Sequence, residues 1–255
     1  MSHHKVEVRN LLFSYPDGHE ALKKISFTIL HGESVGIIGA NGAGKSTILM
    51  LLMGILYPDS GDVLVGDVHL TKKTLPMIRQ RLGMVFQNPD DQLFMTNVYD
   101  DVAFGPRNYR LDEKEVDSRV MNALDLVGIS DLKDRAPFRL SGGEKRAASI
   151  ACVLSMQPDI LIMDEPTLAL DPKARRRVIN LLNSFEHTKI ITSHDLDLVL
   201  ETCQRVIVVK DGVIAADGKA KEILTNRFLL DECGLELPLT IQSCPVCGQD
   251  SNSIL

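Results

Sequence analysis

Gly39-Ala40-Asn41-Gly42-Ala43-Gly44-Lys45-Ser46-Thr47 fits the pattern G-x-x-x-x-G-K-[ST], a loop whose backbone N–H groups cradle nucleotide phosphates. A chain that wraps closely around a triphosphate needs positions without side chains and with φ > 0, which glycine supplies. The helix expected to follow points its unsatisfied N–H groups and positive dipole end at the anion. Lys45 is expected to reach the β- and γ-phosphates, and the Ser46 hydroxyl to hold Mg²⁺. Ser34 to Ile38 reads as a buried strand entering the loop, and Ile48 to Leu52 as an apolar helix leaving it. The bland alternative is a glycine-rich turn without a ligand, and the strand–loop–helix order weighs against it.

Working outward, Asp159 to Pro166 is an apolar strand ending in two carboxylates, Asp164 and Glu165. In a parallel sheet, ligands gather beyond the carboxyl ends of the strands, the end at which the phosphate loop also lies. Asp164 is placed to reach Mg²⁺ through its water shell, and Glu165 to take a proton from attacking water. Two carboxylates ending a buried strand are expensive without such partners. Lys189 to His194 repeats the layout, with His194 at the strand's polar tip as a γ-phosphate donor or a plain structural histidine. Arg81 to Phe86 reads as a buried strand ending at Gln87, followed by the polar loop Asn88-Pro89-Asp90-Asp91-Gln92-Leu93-Phe94. Upstream, residues 5–11 and 25–29 alternate as short strands, which suggests an antiparallel sheet beside an α/β core. Tyr15, after the first of these, is either a half-buried strand-end aromatic or a ring that stacks on adenine.

From about residue 97 to 155 the pattern is helical. Asp112 with Glu115 starts a helix whose apolar stripe is Val116, Val120, Ala123, Leu124 and Val127, and Gly128 ends it. Ser141 with Glu144 forms an S-x-x-E capping box opening the next helix, so Leu140-Ser141-Gly142-Gly143-Glu144 could be mere punctuation. Two glycines in the first turn cost about 1 kcal/mol each, however. A phosphate held against exposed backbone N–H groups would justify them. Residues 205–216 read as a hairpin around Asp211-Gly212, a short helix runs to about Asn226, and residues 227–255 lose regular periodicity.

The 255 residues are 44% hydrophobic and 24% charged, with net charge −6, an ordinary globular composition without the basic surface that nucleic-acid binding needs. The longest apolar run is far short of the ~20 residues of a membrane span, and the N-terminus leads straight into strand-like alternation. The expectation is a soluble intracellular protein whose membrane role comes through a partner. Cys152 and Cys203 sit in apolar patterns as buried thiols. Cys244-Pro245-Val246-Cys247 has the spacing of half a zinc ribbon, and two chains could pool the pair into a Cys₄ Zn²⁺ site, against the alternative of a reduced tail without metal.

Together these residues resemble the ATP-binding subunit of ABC transporters. Gly39–Thr47 matches the Walker A loop, with Gly39, Asn41, Gly42, Gly44, Lys45, Ser46 and Thr47 on the nucleotide. Ile160–Glu165 matches the Walker B strand, Gln87 the Q-loop, Leu140–Glu144 the LSGGQ signature, Leu168–Asp171 the D-loop, His194 the H-loop and Tyr15 the aromatic A-loop. Residues 88–94 and Asp101–Pro106 look like the energy-coupling factor and cobalt/nickel importer ATPases, in which the segment around Gln92 is associated with receiving the transmembrane component. The signature ends in Glu144 where glutamine is usual, and Leu168 stands where serine is common.

The resemblance implies an α/β fold, a P-loop NTPase parallel-sheet core with an N-terminal antiparallel β subdomain and an inserted α-helical subdomain at about 88–156. Residues 1–226 would form the ATPase domain and 227–255 a C-terminal extension. It implies two subunits head to tail, each ATP lying between one chain's loop and the other's Ser141–Gly143, with Asp171 nearby. Mg²⁺ would sit on Ser46 and Gln87 with Asp164, and Glu165 would act as general base beside His194 and Lys45. A transmembrane component would dock near Gln87–Phe94 on the cytoplasmic face of the membrane. A soluble ABC ATPase acting on ribosomes, DNA repair or protein assembly is the alternative. A nucleotide kinase would leave Leu140–Glu144 and His194 unexplained.

Overall fold

The strands and helices follow one another as the hydrophobic patterns dictate. In chain order they are β1 (Val6–Ser14), β2 (Glu20–Ile29), β3 (Ser34–Ile38), α1 (Lys45–Leu52), β4 (Ser60–Val65), β5 (Val68–His69), α2 (Leu75–Arg79), β6 (Leu82–Val85), α3 (Val98–Asn108) and α4 (Glu113–Val127). Then come α5 (Gly142–Leu154), β7 (Ile160–Asp164), α6 (Pro172–Ser184), β8 (Thr188–Thr192), α7 (Leu196–Thr202), β9 (Arg205–Lys210), β10 (Val213–Lys219), α8 (Ala220–Leu224) and α9 (Arg227–Glu232). This computed structural model describes residues 5–242. Residues 73–189 form one compact unit, and the described residues before and after them form another. The architecture is α/β, with parallel core strands and an antiparallel β subdomain.

In the unit built from both ends of the chain, an antiparallel sheet runs in the order β2-β1-β4-β5. Val8 pairs with Phe27 on one side and Val63 on the other. β1 buries Val6 and Val8, then Leu11 and Phe13. The phase change comes at Asn10, which has φ 45° and coincides with a register shift. One extra residue there returns the apolar side chains to the core face. β3 is buried along its whole length and pairs in parallel with β9, Val35 opposite Arg205 through Ile38 opposite Val208. Such continuous apolar runs are what a strand covered on both faces requires.

β9 and β10 form a hairpin through Asp211 and Gly212, at φ 50° and 78°. Positive φ at both central residues is the signature of a type I′ turn, as the Asp-Gly pair predicts. Its tip bears on the phosphate loop: the Gly212 N–H donates to the Ala43 carbonyl at 3.3 Å, and the Gly212 carbonyl accepts from the Lys23 N–H at 2.8 Å. Arg205 secures the hairpin's base, donating to Asp217 at 2.6 Å and 2.7 Å, to Glu33 at 3.1 Å and to the Thr28 carbonyl at 2.8 Å.

The stretch after Asn226 departs from expectation. Residues 227–232 form α9, with the Asn226 side chain accepting from the Leu229 N–H at 3.1 Å and Leu230 fully buried. Beyond it the chain is tied to α7, where the Asp197 carboxylate accepts from the Leu239 and Thr240 N–H groups at 3.1 Å and 3.0 Å. Six residues with one buried apolar side chain are too few for periodicity to register.

In the unit of residues 73–189, β6 pairs in parallel with β7, Leu82 opposite Ile160 through Val85 opposite Met163, and both strands are buried. Helices α3, α4 and α5 pack on one another. α4 is the helix its sequence describes. Asp112 caps it by accepting from the Lys114 and Glu115 N–H groups, Gly128 closes it at φ 73°, and Val116, Val120, Ala123, Leu124 and Val127 are its buried face. β8 carries the chain back into the other unit. Among the described residues, no helix is long and apolar enough to cross a membrane.

Candidate nucleotide-binding site

The phosphate loop bridges β3 and α1, and its glycines are dictated by geometry. At Gly44, φ is 107°, and a Cβ there would lie 2.8 Å from the Ala21 carbonyl oxygen; at Gly39 one would lie 2.2 Å from the Val209 carbonyl oxygen. Lys45 is buried, and its ammonium donates to the Gly39 carbonyl at 2.8 Å and the Ala40 carbonyl at 3.0 Å, 3.4 Å from His194 Nε2. The cation thus lies inside the loop, with the exposed His194 beside it. Ser46, one residue into α1, is only partly covered, and Gly42 has open space where a Cβ would stand. A glycine-rich loop at a helix N-terminus, folded around a buried ammonium, fits a triphosphate. The partly exposed hydroxyl is a hard oxygen donor of the kind Mg²⁺ takes.

Tyr15 stands at the end of this helix start. Its hydroxyl lies 3.0 Å from Thr47 Oγ1, and its ring meets Phe13 edge-on at 5.0 Å and lies nearly parallel to His19 at 6.5 Å. The hydrogen bond fixes an aromatic face one residue from Ser46. Stacking of a base on such a face is worth about 1–3 kcal/mol. Tyr15→Ala is therefore expected to weaken ATP binding about tenfold, while Tyr15→Phe, which keeps the ring, stays near wild type. Nucleotide titration by fluorescence measures both, and wild-type affinity in the alanine variant would remove Tyr15 from the site.

In the other unit, β7 delivers Asp164 and Glu165 to its carboxyl end, 5% and 6% exposed. Glu165 has φ 48° although it precedes Pro166. A non-glycine residue in the left-handed region costs of order 1–3 kcal/mol and is retained mainly where function requires it. Asp164, Glu165 and an exposed Gln87 are again oxygen donors suited to Mg²⁺.

The signature segment opens α5 as a completed capping box. The Ser141 N–H donates to the Glu144 carboxylate at 2.7 Å, and the Glu144 N–H donates back to Ser141 Oγ at 3.4 Å. The Ser141 backbone N–H holds the Glu144 carboxyl below its ordinary range. The carboxylate that replaces glutamine therefore has a structural task here. The two glycines divide. A Cβ on Gly143 would stand 3.3 Å from the Ala174 Cβ, whereas one on Gly142 would meet nothing within 4 Å. Packing against Ala174 adds a steric reason for glycine at 143, while nothing within the chain calls for one at 142. Asp171 caps α6 by accepting from the Lys173 and Ala174 N–H groups at 2.8 Å and 3.0 Å, and these bonds hold its carboxyl low, Ala174 foremost. Leu168 is half exposed.

Around Gln87, sequence reasoning missed Arg146 and the roles of Gln92 and Asp101. Arg146, on α5, is 2% exposed and donates to the Phe86 carbonyl at 2.6 Å and to the Gln87 carbonyl. Gln92 turns inward, its amide donating to the Ser149 carbonyl at 2.7 Å. Asp101, buried on α3, accepts from the Phe94 and Met95 N–H groups at 2.9 Å and 3.0 Å, and its burial pushes its carboxyl pKa up. Loop 88–97 is thereby held so that Phe94, 63% exposed, meets Phe104 edge-on at 4.9 Å. Arginine in the second turn of a helix normally points to solvent, so only the long-range contacts reveal its burial.

The Cys244 and Cys247 pair lies outside the described residues. Of the other cysteines, Cys203 and Cys233 are buried as free thiols and Cys152 is partly covered. Among the described residues, no group of three or more histidine, cysteine, aspartate or glutamate side chains could hold a metal ion.

The family model described as ABC transporter matches residues 22–168. A Geobacter sulfurreducens protein described as an ABC transporter ATP-binding protein is 59% identical over 98% of this chain and 100% of its own length. An energy-coupling factor transporter ATP-binding protein, EcfA, of Methanosphaera stadtmanae is 46% identical, covering 91% of this chain and 86% of its own. Among solved structures, CbiO1 of Clostridium perfringens, part of the ABC transporter complex CbiONQ, superposes with a TM-score of 0.79 at 40% identity, over 90% of this chain and 94% of that one. The chain belongs to the ABC transporter family, as an ATP-binding and ATP-hydrolysing subunit of the energy-coupling factor and CbiO type.

Proposed function

We propose that this chain is the motor of an importer for a small solute of the cobalt, nickel or vitamin type, working from the cytoplasmic face through a separate transmembrane partner. In this reading residues 1–226 are the ATPase domain, with a helical subdomain at about 88–156, and residues 227–255 are an extension. Two ATPase subunits pair head to tail. ATP bound by Lys45, by the loop from Gly39 to Thr47 and by Tyr15 is closed over by the partner's Ser141, Gly142 and Gly143, with Asp171 alongside. A head-to-tail contact that closes on two copies makes two equivalent sites.

The observation that carries this reading is the contrast at the start of α5. Ser141 and Glu144 satisfy each other fully, Gly143 is packed, and Gly142 opens onto empty space at a helix N-terminus. That is a surface made for an anion brought by another molecule. Ser46, Gln87 and Asp164 would hold Mg²⁺, which when bound neutralises charge on the β- and γ-phosphate oxygens. Glu165 accepts the proton of the attacking water, while Lys45 and His194 hold the γ-phosphate in line. The Phe94–Phe104 pair supports docking of the transmembrane component beside Gln87–Phe94, since adjoining exposed aromatics suit a protein interface.

The test is isolation of the tagged chain from its own membranes. Integral membrane proteins are expected to copurify, and the complex should release phosphate from ATP with no acceptor present. A chain that comes alone from the soluble fraction, or that hydrolyses ATP only when a phosphate acceptor is added, contradicts the reading.

A further inference from the structure

Three residues of α5 reach the stretch that carries Gln87, two through side chains and one through its backbone carbonyl. Lys145 pairs with Asp90 at 2.6 Å, Ser149 offers its carbonyl to Gln92, and Arg146 donates to the carbonyls of both Phe86 and Gln87. The Gln92 side chain also accepts from the Phe86 N–H at 3.4 Å. The first bond lies near the surface, where an ion pair contributes little. Arg146 is another matter. It is a cation 2% exposed, and its Nε has no hydrogen-bond partner.

Burying a guanidinium with a donor unused is costly, and an apolar side chain of similar length would fill the space more cheaply. Packing therefore does not explain the residue. Its bonded nitrogens do. They grip two successive carbonyls where β6 ends and the exposed Gln87 side chain begins, and so fix the plane of the Gln87 peptide relative to α5. The same helix presents Ser141, Gly142 and Gly143 at its N-terminus, two turns or less away. The Asp164 and Glu165 carboxylates at the end of β7 are near enough to oppose the loss of charge that burial favours.

We propose that Arg146 is a positioning residue that locks the Gln87 peptide to the signature helix, so that Gln87 and Ser141–Gly143 are set as one piece. The inference rests on the proposed function for the roles of Gln87 and the signature. In a transporter it means that any displacement of α5 by the second ATPase subunit is handed to Gln87 through two hydrogen bonds.

The test uses Arg146→Met, Arg146→Lys, Gln87→Ala and the Arg146→Met/Gln87→Ala double variant, in the full-length chain. Hydrogen exchange of nucleotide-free protein reads the positioning itself. The amides of residues 86–92 should exchange about tenfold faster in Arg146→Met, with partial recovery in Arg146→Lys, whose ammonium can reach one carbonyl. ATP affinity in EDTA should hold within about twofold while kcat falls about tenfold, because misplacing a positioned group costs turnover rather than binding. The double variant should be no slower than Gln87→Ala alone, since the two residues act through one point. Exchange unchanged at 86–92 overturns the proposal, as do kcat losses that multiply in the double variant. Should Arg146→Met fail to fold, the same cycle is read with Arg146→Lys. Loss of exchange protection with Gln87→Ala itself fully active overturns instead the role given to Gln87, so the two ideas fail separately.

Discussion

Glu165→Gln is expected to bind ATP and to turn it over about a hundredfold or more slowly, the range associated with losing a general base. The substitution keeps the shape of the side chain but leaves an amide that cannot take the proton of attacking water. Glu165 sits at the end of a strand buried along its length, at φ 48° and 6% exposed. An isosteric change there disturbs packing little, so the loss reports chemistry rather than folding. Removing a negative charge near the γ-phosphate also favours the bound state, so the variant should retain ATP and accumulate as the closed pair. Steady-state phosphate release together with nucleotide binding measures both halves of the expectation. Undiminished hydrolysis would end the assignment of Glu165 as base.

Ser141→Arg should abolish hydrolysis just as thoroughly, for a different reason. The serine caps α5, and its loss alone costs about 1 kcal/mol of stability. An arginine adds a cation at the positive end of the helix dipole, a further penalty of about 0.3–1 kcal/mol. These are small against the stability of a domain, so the protein should fold with a melting temperature lowered by only a few degrees. Its guanidinium would occupy the open space in front of Gly142, where the proposed function puts the partner's phosphates. The expected outcome is a folded chain that still binds ATP through its own Lys45 and fails to hydrolyse it, by about a hundredfold or more. Calorimetry and phosphate release separate the two effects, and substantial remaining turnover contradicts the role of this surface.

Much of the fold is legible in the sequence, and the reason is local. α4 was bounded by Asp112 and Gly128 because caps are made by neighbours in sequence. The β9–β10 turn was fixed by an Asp-Gly pair whose φ values follow from residue type. The phosphate loop announced itself because its glycines answer to backbone geometry. What stayed hidden depended on partners far away in the chain. Arg146 is buried against carbonyls sixty and fifty-nine residues upstream, Gln92 is held by a carbonyl on α5, and Gly143 lies where a Cβ would crowd an alanine at the start of α6. α9 was missed because one buried leucine in six residues carries no period. The candidate site residues are thus legible in the sequence as residue types, while the contacts that hold Gln87 in place are not.

In the proposed function each catalytic site takes its phosphate loop from one chain and its signature from another. Mixing two inactive variants, Lys45→Ala and Ser141→Arg, tests it most directly. In a mixed pair, one site carries both lesions, while the other joins the intact loop of the Ser141→Arg chain to the intact signature of the Lys45→Ala chain. Equal mixing and reassociation should restore about a quarter of the wild-type rate, since half the pairs are mixed and each holds one sound site of two. Activity that stays at the level of the separate variants, with mixed pairs shown to form, would mean that each chain builds its site alone.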